Sequence, residues 1–477
     1  MIIKLVVLIA IVFIFILLIR TLNFKPQNTW TPSGDPVELD QDTIVSHLQE
    51  MIRCKTISYD DSELIDEQEF EKFQELLKSL YPELNKISEQ MIVGVNGILY
   101  RWKGREEGDP AVFMAHYDVV PVEEEQWEKP AFEAVIEEGC IWGRGTLDTK
   151  GTLCGMLEAA EKLIKEGFVP EHDIYFAFSG QEEINGTTAS DMVDWFDKQG
   201  IHPAIVLDEG GAVVEDVFPG VSGECALIGI AEKGFASVEL RLKSRGGHAS
   251  TPPVHTVVGE LAKAVVEVEK HPFPGQITKP VREMLDTLGR HSSFGYKLLF
   301  ANMWCFQGIF NKICQKTGGE LNAMVRTTCA VTRMKGSKAF NVIPPVASAG
   351  MNLRLMGTDT IETVKEHLSK VVKNPDIEIH VAEARNPSVE SDTACAEWNH
   401  LCQAVADTWP EAIVSPYLML AASDSWYYCK ITDRIYKFSA MKLSDEERAM
   451  IHGNNERVPI ETMLKTTEFY YRILRTC

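Results

Sequence analysis

The chain has 477 residues, 45% of them hydrophobic and 24% charged, which is enough for two cores rather than one. Its 69 acidic against 47 basic residues leave a net charge of −22, spread along the chain, which argues against nucleic acid as a partner and for a soluble, self-repelling body. The 11 cysteines stand singly without a CxxC pair, a distribution that disfavours both a thiolate zinc site and a disulfide framework and leaves the compartment open.

Leu5 to Ile19 is an uninterrupted apolar run, extended by Ile2 and Ile3 past Lys4. At about 1.5 Å per residue it is just long enough for a thin bilayer. The following RTLNFKPQNTW has no small-x-small cleavage site, so residues 1–20 read as an uncleaved membrane anchor, with a cleaved secretory leader as the alternative. Lys4 on one side and Arg20 and Lys25 on the other leave the orientation open. Residues 21–37, with Pro26, Pro32, Gly34 and Pro36, read as a linker.

The body begins near Glu38. Apolar spacing predicts helices over residues 40–53 and 67–80, then strands near 97–102 and 111–115. The second strand ends on His116-Tyr117-Asp118, and its i, i+2 spacing puts the imidazole and the carboxylate on one face. Such a pair either closes a loop or makes a metal ligand with its orienting carboxylate. CIWGRGTLDTKG at 140–151 is a tight turn around Asp148 before a helix over 152–165. It matches neither GxGxxG nor GxxxxGK[ST], and its aspartate would repel phosphate, so a nucleotide cradle is disfavoured. A buried strand from Asp173 then ends on Glu182 and Glu183, and another from Ala204 ends on Asp208 and Glu209. If these strands are parallel neighbours, their tips bring His116, Asp118, Asp148, Glu182, Glu183 and Asp208 to one edge of one sheet. Divalent cations usually compensate such a concentration of carboxylates; the bland alternative is unrelated loop acids.

From about Gly229 the pattern changes to alternating strands (236–242 and 347–355), helices (257–270 and 361–371), a glycine-proline loop carrying His248, and a weakly patterned stretch to about 338. This reads as an α+β sandwich inserted into the first domain, with an exposed edge suited to pairing two subunits. The last segment returns to the first style, and His452 lies in a glycine/asparagine loop, free to complete a ligand set.

Together, HYD at 116–118, GRGTLDTKG at 143–151, QEE at 181–183, LDEGG at 207–211, GGHAS at 246–250, NVIPP at 341–345 and IHGNNE at 451–456 resemble, in order and spacing, the dinuclear zinc metallopeptidase family. That family includes carboxypeptidase G, aminoacylase, carboxypeptidase S and the N-fatty-acyl-amino-acid synthase/hydrolase; the long insert looks most like the last two. The resemblance implies an α/β catalytic domain with a mixed, largely parallel sheet over 38–228 and 386–477, and an inserted lid and dimerisation domain over 229–385. It implies two Zn2+ per chain, with Co2+ or Mn2+ as substitutes. His116 and Asp208 would hold one, Glu183 and His452 the other, and Asp148 would bridge them. Asp118 would orient His116, and Glu182 would be the general base for a water activated by the two ions. His248 would reach across a homodimer to the oxyanion, and Asn341 and Arg354 would bind the substrate's carboxylate. The family commonly has a second acidic residue where this chain has Thr149.

The expected activity is hydrolysis of an amide bond beside a free carboxylate, in a peptide or an N-acyl amino acid. Trp304, Phe306 and Phe310 are either an apolar slot for a fatty acyl group or ordinary core. Outside that class stand a deacylase for a small biosynthetic intermediate and a non-catalytic interaction protein keeping the fold.

Overall fold

Two runs with every residue buried, Ala111–His116 and Ile174–Ser179, lie side by side at the centre of a large sheet, as continuous apolar strands must if helices cover both faces. The structure, a computed structural model, describes residues 1–27 and 29–477. In chain order the main strands are β1 (Glu89–Val93), β2 (Gly97–Trp102), β3 (Ala111–His116), β4 (Ile174–Ser179), β5 (Ile205–Glu215), β6 (Glu224–Glu232), β7 (Gly234–Lys243), β8 (Thr328–Lys335), β9 (Val346–Leu355), β10 (Ile377–Arg385), β11 (Ile413–Met419) and β12 (Ile435–Lys442). Eight of them form one mixed sheet in the order β1-β2-β4-β3-β5-β12-β6-β11, and its centre, β4-β3-β5-β12, is parallel. The fold is therefore α/β, and the parallel strands point their carboxyl ends the same way.

The longer helices are α1 (Ile2–Asn23), α2 (Gln41–Ile52), α3 (Glu67–Leu80), α4 (Lys150–Lys165), α5 (Thr188–Gln199), α6 (Val257–Lys270), α7 (Lys279–His291), α8 (Phe294–Phe300), α9 (Met303–Thr317), α10 (Ile361–Val372), α11 (Ala396–Thr408) and α12 (Ile460–Leu474). On one face of the main sheet, α2, α4, α11 and α12 pack around Phe113, Phe176, Leu207 and Phe438. On the other, α5 and the 3-10 turn Asp424–Lys430 cover Val112, Met114 and Val206. Helix α2 starts where the Asp40 side chain accepts the Thr43 N–H at 3.2 Å, and α5 ends on Gly200, whose φ of 69° suits a residue without a Cβ.

The alternating strands make a second, antiparallel sheet, β8-β9-β7-β10. Its inner face packs on α6 and α10 around Leu240, Leu261, Leu353 and Leu368, a core separate from the first. The weakly patterned stretch behaves differently from expectation. Its helical part is four helices, α7 to α9 and Gly319–Met324, whose Val281, Leu285, Leu288, Phe310 and Cys314 share a core with Leu418 of the main sheet and Phe218 of the β5–β6 loop rather than with the four-stranded sheet.

Helix α1 is the one helix among the described residues long and apolar enough to cross a membrane, with a mean hydropathy of 3.5. Length and composition alone are met by an anchor and by a leader alike.

Candidate metal centre at the strand tips

The tips converge. His116, at the end of β3, donates Nδ1–H to its neighbour Asp118's carbonyl oxygen at 2.9 Å, which turns Nε2 toward Asp148 Oδ1 at 3.0 Å and Glu209 Oε1 at 3.6 Å. The other oxygen of Asp148 lies 2.9 Å from His452 Nε2, and that nitrogen is also 3.0 Å from Glu183 Oε2. Asp148 thus offers one oxygen to each imidazole.

Each part of this arrangement has a local cause. The Asp118 carboxylate is fully buried and accepts the backbone N–H groups of Glu182 at 3.1 Å and Glu183 at 3.2 Å, together with the Ser58 hydroxyl at 2.7 Å. It therefore orients the two-glutamate turn as well as lying 3.5 Å from His116 Nδ1. The Asp148 loop is held by Glu456, which is fully buried. Its Oε1 accepts the N–H groups of Gly145 at 3.1 Å and Leu147 at 2.8 Å, and its Oε2 accepts from Arg144 at 2.6 Å. Four residues before Glu456, His452 sits at a φ of 59°, a left-handed turn that brings the half-open loop back over Asp148.

The charges are unevenly met. Burial pushes the Glu182 carboxyl well above its usual range, and Glu209, Asp424 and Glu183 push further against the pull of His116. Glu209 is raised the same way, by burial and then by Asp148, Asp208 and Glu183. Burial lifts Asp424 to about 7, with Asp208 and Asp118 adding and Ser179 opposing. Burial also acts on Asp148, but hydrogen bonds from His116 and His452 outweigh it and hold that carboxyl low. Those bonds, to Asp148 first and Glu183 second, raise His452 to about 10.

Whether cations fit can be judged from the donors. His116 presents Nε2 to two carboxylates while Nδ1 is already committed, and one Nε2 of His452 faces two carboxylates at almost equal distance. A single N–H cannot serve both well, whereas a cation between them can. Two ligand groups with donor atoms within 4.8 Å of one another result: His116, Asp148 and Glu183, and His116, Glu182 and Glu209. Imidazole nitrogens and carboxylate oxygens suit borderline divalent ions such as zinc.

The expected ligand Asp208 belongs to neither group. Its Oδ2 accepts the Ser425 N–H at 2.9 Å, which turns it toward the 424–430 segment, and Glu209 stands in its place beside His116. Both acids are legible at this tip from the sequence, but the side-chain directions that separate them are not. The supporting roles of Glu456 and Ser58 come from contacts with residues distant in sequence, which no local motif marks. Thr149 is fully buried, and its hydroxyl has no partner among the described residues.

Among the described residues, none of the second-domain candidates is hydrogen-bonded or ion-paired to the cluster. His248 is exposed in a two-residue strand paired with Val342–Ile343, and its Nδ1 accepts the N–H of Ser250 at 3.1 Å. Asn341 is exposed in the facing loop, where its carbonyl accepts the Ala249 N–H at 3.0 Å. Arg354, half-buried on β9 opposite Phe235, has its guanidinium pKa lowered by burial and by nearby Arg385. Arg385 pairs with buried Glu232 at 3.1 Å and stacks 5.1 Å from Trp426, so the small sheet docks beside the segment that holds Asp208. Of the proposed acyl slot, Phe310 is core and Trp304 packs on α1.

A profile of the peptidase family M20/M25/M40 matches residues 112–476. The chain belongs to that family. It is 32% identical over 97% of its length, and 91% of the relative's, to a probable carboxypeptidase S-like protein of Dictyostelium discoideum. It is 31% identical over 98% of its length, and 93% of the relative's, to an N-fatty-acyl-amino acid synthase/hydrolase of Xenopus tropicalis. The fold matches an M20 family metallo-carboxypeptidase of Sulfolobus solfataricus, with a TM-score of 0.66 at 18% identity over 91% of this chain and 98% of that one. It also matches a dinuclear metal binding peptidase of Bacillus subtilis, with a TM-score of 0.56 at 15% identity over 91% and 98%. The chain is thus a hydrolase of a metal-dependent peptidase family, and the strand-tip cluster is its candidate metal centre.

Proposed function

We propose that this hydrolase binds two zinc ions at the strand tips and cuts an amide bond beside a free carboxylate, with a peptide C terminus or an N-acyl amino acid as substrate. The observation that carries the reading is Asp148 offering one oxygen to His116 and the other to His452, with Glu183, Glu209 and Glu182 gathered around. His116 and Glu209 would hold one ion, Glu183 and His452 the other, and Asp148 would be shared by both; Co2+ or Mn2+ would be the natural substitutes. Bound there, the ions supply Lewis acidity that makes water a nucleophile at neutral pH.

Glu182 does the proton work. It is fixed through its backbone N–H by Asp118, so its carboxylate takes a proton from the attacking water and returns it to the leaving amine. Asp118 is a positioning residue for that turn and for His116. His248, exposed in its two-residue strand, serves a partner protomer's oxyanion in a homodimer paired through the inserted domain. Asn341 and Arg354 receive the substrate's carboxylate. In this reading residues 38–228 and 386–477 form the catalytic domain, 229–385 the insertion, and α1 an uncleaved anchor.

The relatives' names span carboxypeptidase and N-fatty-acyl-amino-acid activity, and a paired assay separates them. Full-length protein is given an N-fatty-acyl-phenylalanine and a dipeptide, and hydrolysis of at least one is expected. A strong preference for a short acetyl or succinyl group instead contradicts both branches.

A further inference from the structure

Helix α1 is not free-standing. Its last turns are hydrogen-bonded to the junction of α8 and α9: the fully buried Asn302 donates its side-chain amide to Leu17 O at 3.3 Å and to Thr21 Oγ1 at 3.2 Å, and Arg20 Nε donates to Ala301 O at 3.2 Å. Higher up, the ring of Phe13 meets Trp304 of α9 edge-on at 5.9 Å between centroids. Phe13 lies seven positions inside Arg20, so at 1.5 Å per residue Trp304 reaches roughly 10 Å beyond the polar end of the apolar run.

Helices α8 and α9 carry side chains a soluble surface would hide. Trp304 is 58% exposed, Phe294 55%, Ile309 54% and Ile313 50%. Where α1 leaves the body, a cavity of about 450 Å³ opens between Ile19, Phe24 and Trp304 on its apolar side and Arg20 and Arg290 on its charged side. Arg290 is fixed there by Asp286 at 2.9 Å and stacks 4.5 Å from Phe24. Apolar walls with cations at one mouth match a phospholipid at the boundary between acyl chain and headgroup.

We propose that α8 and α9 form a second membrane contact, entering the same leaflet that α1 crosses, so that phospholipid acyl chains cover Trp304 and its neighbours and the catalytic body lies against the bilayer instead of hanging from a tether. The inference rests on the reading of α1 as an uncleaved anchor. The exposed apolar residues sit on the very helices that hold α1, and the Phe13 contact fixes the depth of Trp304 among them, so the acyl region around α1 continues onto α8 and α9. A body held in this way meets amphiphilic substrates at the membrane surface.

The test uses full-length protein in phosphatidylcholine vesicles containing a lipid with a photoreactive diazirine on its acyl chain, followed by mapping of the labelled peptides. Label in residues 2–23 and, at a comparable level, in residues 294–313 is the expected result. Label in residues 2–23 with tenfold less or none in 294–313 overturns the second contact while leaving the anchor intact. No label in residues 2–23 overturns the anchor reading and the inference with it.

Discussion

Glu456, buried, and Glu209, half-buried, are two glutamates within reach of the Asp148 loop, yet their surroundings differ. Glu456 is met on both oxygens by backbone N–H groups and by Arg144. Glu209 has His116 at 3.6 Å and otherwise faces Asp148, Asp208 and Glu183. The first is a clamp whose charge is satisfied by the fold. The second belongs to a cluster whose charge the fold leaves unmet, as a cation site requires. The clamp fixes the loop so that the cluster can stay strained.

Substitutions on the two sides should separate these roles. The largest effect expected is on catalysis: Glu182→Gln lowers kcat/KM by about 10²- to 10⁴-fold, the range for losing a general base, with an unfolding midpoint no lower than that of the parent. A variant that stays active removes Glu182 from the chemistry. On the clamp side, Glu456→Ala strands the Arg144 charge and costs about 3–5 kcal/mol of stability in denaturant unfolding. A loss below about 1 kcal/mol would show that the loop is held elsewhere.

The two acids at the end of β5 allow a sharper distinction. Glu209→Ala should lower metal content, whereas Asp208→Ala should retain metal and cost about 1–3 kcal/mol through the unpaired Ser425 N–H. The reverse pattern returns Asp208 to the ligand set.

The remaining effect concerns pH, away from the cluster. Lys233 donates to the carbonyls of Ala323 and Arg326, each at 2.9 Å, and burial first, then Arg354, lowers its pKa from 10.5 to about 7. Between those values the unfolded chain holds a proton that the folded chain has released, so stability rises with pH from about 7 to 10.5 and falls on acidification toward 7. Lys233→Met should flatten that rise in thermal unfolding followed across the window; an unchanged slope assigns it to other groups.

Much of this was legible because strand tips are local features. HYD, LDTKG and QEE each sit at the end of an all-buried strand or just before α4, and parallel pairing of β3 with β4 and β5 does the rest. What escaped depends on side-chain direction and long-range packing. Asp208 and Glu209 are adjacent, and the strand irregularity after Asp208, where β12's register shifts, decides which faces His116. Glu456 acts on a loop 309 residues away, which no local pattern encodes. The helices between 279 and 317 did leave a signal, Val281, Met284, Leu285 and Leu288 at helical spacing, but their docking on β11 instead of the small sheet is set by a core from distant segments.

The most direct measurement of the central claim is metal content by elemental analysis of the full-length protein and its Asp148→Asn variant, both loaded with zinc and dialysed. About two zinc ions per chain are expected in the parent and a marked loss in the variant, since Asp148 alone among the described residues pairs with both imidazoles. A parent that retains no metal, or a variant that holds as much as the parent, would contradict it.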